Sequence, residues 1–163
     1  MGIREQWRNA NTGYTGNGGD NMIPIKSILA AVDFSNESLK AANFAASLAQ
    51  EYKAELHLLH VYEPEPPYHL SKEYLEETMG KLQEKLSGVI PKSVRASVPG
   101  DVILEKGHPA HNTIVEEAKE LGVDLIVVGT KGRTGLAHVL LGSVAEHVVR
   151  YAPCPVFVYR EKR

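Results

Sequence analysis

From Ile25 onward, short apolar runs alternate with longer segments whose apolar positions return every three or four residues. Ile25-Lys-Ser-Ile-Leu-Ala-Ala-Val32 has the length of a strand and stops at Asp33. Ser35-Asn-Glu-Ser38 then offers capping side chains ahead of Leu39, Ala42, Phe44–Ala46 and Leu48–Ala49, a spacing that predicts an alanine-rich helix. Glu55 to Val61 is a second strand, and its exit, Glu63-Pro-Glu-Pro-Pro67, is a loop stiffened by proline. Leu70 to about Leu86 reads as an exposed amphipathic helix rich in Glu and Lys. Gly100 to Lys106 is a third strand, and Gly107-His-Pro109 opens a helix with proline in its first turn. Ile114, Val115 and Ala118 form the apolar side of that helix, and Leu121-Gly122 ends it. Asp124 to Val128 is the most apolar strand, a helix follows from about Ser143 to Tyr151, and Pro155 to Tyr159 is the last strand.

Strands that alternate with helices predict parallel strands joined by crossover helices. The strands are apolar throughout rather than alternating, so both faces of the sheet are covered. The expected fold is therefore α/β: a doubly wound, open, parallel five-stranded sheet with helices on both faces. Such sheets bind ligands beyond the carboxyl ends of their strands, where the strand order switches direction. Asp33 and Gly129 each follow a strand on that edge.

Composition changes this picture in two places. Residues 11–20 are glycine-rich and polar, so 1–22 is expected to be a flexible extension and 23–163 the domain, with Met22 a candidate natural start. A net charge of −2 leaves no basic excess for a nucleic-acid backbone. The single cysteine, Cys154, excludes an internal disulfide framework and fits a reducing compartment. With no apolar run near the ~20 residues of a membrane span and no secretory h-region, a cytoplasmic protein is expected.

The candidate chemistry lies in Gly129-Thr-Lys-Gly132-Arg-Thr-Gly135-Leu-Ala-His-Val-Leu-Leu-Gly142-Ser143. Glycine at 129, 132 and 142 permits close backbone approach, and positive φ where one is needed. Ser143-Val-Ala-Glu146 has capping-box spacing, and a helix N-terminus presents N–H groups and partial positive charge to an anion. Lys131 and Arg133 add full charges, so the loop suits a phosphate. The other reading is a capped helix behind a flexible loop with two solvated cations. Neither a G-x-x-x-x-G-K-[ST] P-loop nor a G-x-G-x-x-G dinucleotide fingerprint is present.

Gly129-x2-Gly132-x9-Gly142-Ser143 resembles the nucleotide loop of the ATP-binding branch of the universal stress protein family. The resemblance extends to Ala31-Val-Asp-Phe-Ser35, Leu58-Leu-His-Val61, Gly107-His-Pro109, Asp124 to Gly129 and Cys154-Pro-Val156, and so spans about residues 23 to 160 in order. It implies an ATP site, with Mg or Mn entering through the phosphates. By that analogy Ala31, Val32 and Asp33 line the adenine and ribose side and Val61 packs on the base. Val128, Gly129, Lys131 and Gly132, with Arg133 close by, flank the ribose and first phosphates. Gly142, Ser143, Val144 and Ala145 receive phosphates at the helix start. Many relatives carry a hydroxyl residue where this chain has Ala145, which implies a weaker phosphate grip. The resemblance also implies a homodimer through strand 155–159, which is apolar and expected at a sheet edge.

The remaining candidates are weaker. His57 and His60 are three apart in a strand and point to opposite faces, so they do not share a metal easily. His108 and His111 flank Pro109, where His108 caps or faces solvent; His138 lies in the glycine loop, solvated or, when protonated, near phosphate. Cys154 has neither resolving partner nor base and reads as a packed thiol. Asp33 would repel phosphates, so it belongs either with nucleoside donors or in a cap on the next helix. With no carboxylate left to orient a water, a dedicated ATPase is not expected. An adenine-nucleotide hydrolase would carry Ser-Gly-Gly-x-Asp-Ser after the first strand, where Asp33-Phe-Ser-Asn36 stands. Two functions remain: an ATP-binding stress-response regulator, or an interaction dimer of the same fold that needs no nucleotide.

Overall fold

The computed structural model describes residues 24–63, 71–130 and 141–161. The expected extension over 1–22, and the loop residues Lys131, Gly132, Arg133 and His138, lie outside them. Five strands, β1 (Ser27–Ala31), β2 (Glu55–Tyr62), β3 (Val102–Lys106), β4 (Leu125–Gly129) and β5 (Val156–Tyr159), form one parallel sheet in the order β3-β2-β1-β4-β5. The helices are α1 (Asn36–Tyr52), α2 (Lys72–Ser87), α3 (Lys92–Arg95), α4 (Ala110–Leu121) and α5 (Ser143–Tyr151). The expected doubly wound architecture is present, and α3 is a one-turn helix that the apolar pattern did not announce.

Alternation along each strand divides the core in two. Ile28, Ala30, Leu56, Leu58 and Val127 face α1, whose alanines 41, 42, 45, 46 and 49 let helix and sheet approach closely; Leu86 and Ile90 complete this layer. Leu29, Leu59, Ile126 and Val128 face the other way, onto Ile114, Val115 and Ala118 of α4 and Ala145 and Val148 of α5. Ile28, Leu29, Leu56, Leu58, Leu59 and Ile126 are almost wholly inaccessible. Each contributes about 1.5–3 kcal/mol relative to an exposed position.

Local signals fix the ends of these elements. Ser35 caps α1 by accepting the Ser38 N–H, and Gly122 ends α4 in the left-handed conformation at φ 61°. Asp124 joins the starts of two strands: its Oδ2 accepts the N–H groups of Lys26 at 2.7 Å and Ser27 at 3.0 Å.

Two helix starts differ from expectation. Pro109 occupies the N-cap of α4 at φ −78°, ψ 149°, one position before the first turn. For α5 the N-cap is Gly142, and no side chain caps it. Ser143 is thus already inside the helix, so Ser143 and Glu146 form no capping box; Glu146 instead pairs with Arg150.

Candidate functional site

The chain leaves β1 outward through β2 and β3, then returns to the opposite side of β1 as β4. The switch point therefore lies between β1 and β4, and the crevice beyond their carboxyl ends is where this fold class places ligands. On one side of it stands Ala31-Val32-Asp33; on the other stands Val128-Gly129-Thr130, with the start of α5 behind.

The β1 side is a compact turn. Asp33 Oδ1 accepts the Ser35 N–H at 3.0 Å and the Ser35 hydroxyl at 2.6 Å, while the Asp33 N–H donates to Ser38 Oγ at 3.2 Å. Asp33 therefore orients the capping serine, and Ser35 itself is the cap. The following residue, Phe34, has φ 63°, a conformation rare for a bulky side chain and one that concentrates where surrounding structure enforces it. Its ring rests 4.5 Å from that of His60, and Lys85 Nζ stands 4.2 Å from its centroid. His60 is buried, with Nδ1 2.6 Å from the Val32 carbonyl.

The β4 side closes through backbone. Thr130 is buried, donates its N–H to Tyr159 at 3.0 Å and accepts the Gly142 N–H at 2.7 Å. The two ends of the glycine loop are thus fastened together, and the uncapped start of α5 is held beside the switch point. Gly129 and Gly142 do not use the freedom of positive φ; among described glycines only Gly100 and Gly122 do. Gly129 sits at a tight contact: a β-carbon there would lie 3.1 Å from the backbone of Glu37 and Ser38, closer than side chains ordinarily pack.

Not every expected lining residue offers a side chain. Val32, Val128 and Ala145 are buried in the core, and Ala31 and Val61 are half-buried against it. Because position 145 points inward, its methyl fills the α5 contact with the sheet. Ser143 and Val144 are exposed at the first turn, and Gly142 and Asp33 are half-buried.

At the end of β2, Glu63 Oε1 accepts the Ala110 N–H at 2.8 Å and meets His108 Nδ1 at 3.2 Å. The start of α4 thus already holds a carboxylate, whereas that of α5 has no capping side chain. His111 stacks on His147 with centroids 3.8 Å apart, and His147 on Tyr151 at 4.4 Å. His57 and His60 point to opposite faces of β2, as their spacing predicts; His57 meets Asp101 and Glu55 at the other end of the sheet. Sequence reasoning missed His60, Thr130 and Glu63. The only signals were a polar residue inside an apolar strand and hydrogen-bonding side chains at strand ends.

The sheet order, the crossover helices and the glycine-bearing turn at the switch point define a parallel, doubly wound α/β protein. Its sequence places it more narrowly. The chain belongs to the universal stress protein family, whose model matches residues 24–160. Universal stress protein MJ0531 of Methanocaldococcus jannaschii is 38% identical over 150 residues, covering 89% of this chain and 86% of its own length. The solved structure of hypothetical protein MJ0577 is similar at a TM-score of 0.67 and 30% identity, covering 86% of this chain and 99% of the other. A universal stress protein solved in complex with cAMP shares the fold at a TM-score of 0.62 and 23% identity, covering 85% of this chain and 99% of its own.

Proposed function

We propose that this chain binds ATP at the switch point and acts as a stress-response regulator through occupancy of that site rather than as a catalyst. The observation that carries the reading is the start of α5, without a side-chain cap and fastened to β4 by the Gly142–Thr130 bond, across the crevice from Asp33. Phosphates meet the N–H groups of Ser143, Val144 and Ala145 there, with Lys131, Gly132 and Arg133 of the glycine loop supplying charge and clearance. Asp33 and the backbone of Ala31, Val32 and Val61 take the nucleoside, where a carboxylate meets hydroxyl donors rather than phosphate oxygens. Val128 and Gly129 form the floor between the two halves. Mg or Mn arrives bound to the phosphates. That a protein of this fold holds cAMP supports an adenine nucleotide as the ligand.

The direct test is mass spectrometry of small molecules released when the purified protein is denatured, with calorimetric titration of ATP. Gly142 has φ −71° and ψ 157°, which any residue adopts, so Gly142→Val leaves the backbone unstrained while crowding the phosphates. Affinity should drop at least tenfold, the loss of about one charge-assisted contact. Unchanged affinity would remove the site.

A second reading rests on a different surface. β5 is an edge strand whose Phe157 stays 39% exposed while stacking on Phe44, beside an open groove lined by Leu39, Asn43, Phe44 and Tyr159. An unpaired apolar edge favours a homodimer through 155–159, with or without nucleotide. Light scattering that gives one chain's mass at tens of micromolar, on the order of ordinary assay concentrations, would exclude it. We place the protein in the cytoplasm on its lone half-buried thiol; none of its described helices is long and apolar enough to cross a membrane. The functional domain is taken as 23–163.

A further inference from the structure

The β1–β2 ladder stops where the nucleotide reading needs it to stop, and a side chain stands on the carbonyl at which it stops. The register pairs Ala31 with Leu59, and the Val32 N–H still donates to the Leu59 carbonyl at 2.8 Å. In a parallel pair the next bond would run from the Val61 N–H to the Val32 carbonyl. The structure instead puts the His60 imidazole on that carbonyl, with Nδ1 at 2.6 Å, and among the described residues no backbone bond joins Val61 to Val32. A carbonyl only accepts, so Nδ1 carries the proton. β2 meanwhile continues to Tyr62. Backbone groups two residues apart on a strand face the same neighbour, so the Val61 N–H and C=O face as Leu59 does, past the end of β1.

The same ring supports the turn that follows. His60 packs against Phe34, which holds φ 63° directly after Asp33, and Lys85 stands over that ring. Ladder end and strained turn therefore share one buried imidazole, and Asp33 stands between the two.

We propose that His60 is a positioning residue for the nucleoside: by occupying the Val32 carbonyl it leaves the Val61 amide to face the base and sets the turn that aims Asp33. This rests on the ATP reading above. A peptide N–H beside a C=O matches the acceptor and donor on the edge of adenine and mismatches those of guanine. His60 thus acts on base preference, not on the phosphates.

The test compares wild type, His60→Asn and His60→Phe. The asparagine amide nitrogen reaches about the place of Nδ1 and keeps a donor, whereas phenylalanine fills the space without one. His60→Phe should lose about tenfold in ATP affinity, the scale of a misplaced hydrogen bond, and its preference for ATP over GTP should shrink. His60→Asn should restore both to within about threefold. Equal affinity and preference in the two variants overturn the proposal, since a space-filling role would not separate them.

A second measurement needs no variant and no nucleotide. Amide exchange followed by NMR should find the Val61 N–H of the ligand-free protein exchanging much faster than that of Leu59. A protected Val61 amide would show that the ladder continues and would overturn the proposal even if ATP binds. Fast exchange at Val61 without any ATP binding would instead uphold the local geometry and remove the ATP reading on which its purpose depends.

Discussion

Gly129, the last residue of β4, lies against Ser38 in the first turn of α1: a β-carbon at 129 would sit 3.1 Å from the Ser38 nitrogen. The obstacle is helix backbone, which does not move aside as a flexible side chain would. The glycine that looked in the sequence like part of a ligand loop therefore also sits at a tight helix–strand contact. Gly129→Ala should destabilise the fold by about 1–3 kcal/mol, the range for overpacking a well-filled core. Urea denaturation measures this directly, and a loss under about 0.5 kcal/mol, the level of a neutral surface change, would show that α1 shifts freely.

Gly100 should be less tolerant still. It combines φ +128° with a position where a β-carbon would lie 2.2 Å from the Leu56 carbonyl oxygen. Arg95 also donates to its carbonyl at 2.7 Å, tying α3 to the start of β3. Backbone strain of about 1–3 kcal/mol and a steric cost of similar size predict a loss of about 2–5 kcal/mol for Gly100→Ala. A soluble variant melting within a degree or two of wild type, under about 0.5 kcal/mol, would contradict this.

Stability should also fall in mild acid. Burial pushes the His111 imidazole below its ordinary value of 6.5, and the neighbouring His147 pushes it the same way; Glu63 opposes them, and His108 adds a last, smaller push downward. The unfolded chain then binds more protons than the folded one once pH drops below about 6.5, so this contribution is complete above that value and lost beneath it. The ring stack through His147 to Tyr151 joins α4 to α5, so the loss falls on the helix proposed to hold phosphate. Urea midpoints taken between about pH 7.5 and about pH 5.5 should decline less in His111→Phe than in wild type. Equal declines would assign the acid sensitivity elsewhere.

Cys154 should be a slow thiol. Burial raises it to about 11 from 9.0, nearby Asp124 pushes the same way, and the bond from the Ile126 backbone pulls weakly back. Two units leave roughly a hundredfold less thiolate at pH 8 than an ordinary cysteine has, so alkylation should slow by about that factor and recover in urea. Rapid labelling of the folded protein would show an opening near β5.

Periodicity made the five strands and four longer helices legible, because each is a continuous apolar run or a three-to-four repeat with a clear breaker such as Gly122. The one-turn α3 was not legible, since four residues carry no period. Nor was the missing cap of α5. Ser143 and Glu146 have the right spacing for a capping box, yet the Gly142–Thr130 bond starts the helix one residue earlier. The site's edge was visible as Asp33 and Gly129 at strand ends. His60, Thr130 and Glu63 were not, because their partners lie 28, 12 and 47 residues away. Long-range polar pairing leaves as its local trace no more than a polar residue within an apolar strand or at a strand end.

Ser35 allows the structural and the binding roles of the β1 turn to be separated. Its hydroxyl donates to Asp33 Oδ1 at 2.6 Å and accepts the Ser38 N–H at 3.3 Å, so it is both a helix cap and the clamp on the carboxylate. Ser35→Ala removes both and should cost about 1 kcal/mol of stability, as lost caps do. Ser35→Asp keeps an acceptor for the cap but sets a second negative charge against Asp33, so it should recover part of that stability without recovering the carboxylate's orientation. If Asp33 receives ribose hydroxyls, both variants should bind ATP several-fold more weakly, about the effect of one weakened hydrogen bond, while losing little discrimination against 2′-deoxy-ATP that Asp33→Ala has not already lost. Calorimetry across these three variants with the two nucleotides provides the check. ATP affinity that follows stability, falling in Ser35→Ala and returning in Ser35→Asp, would make Asp33 a purely structural residue.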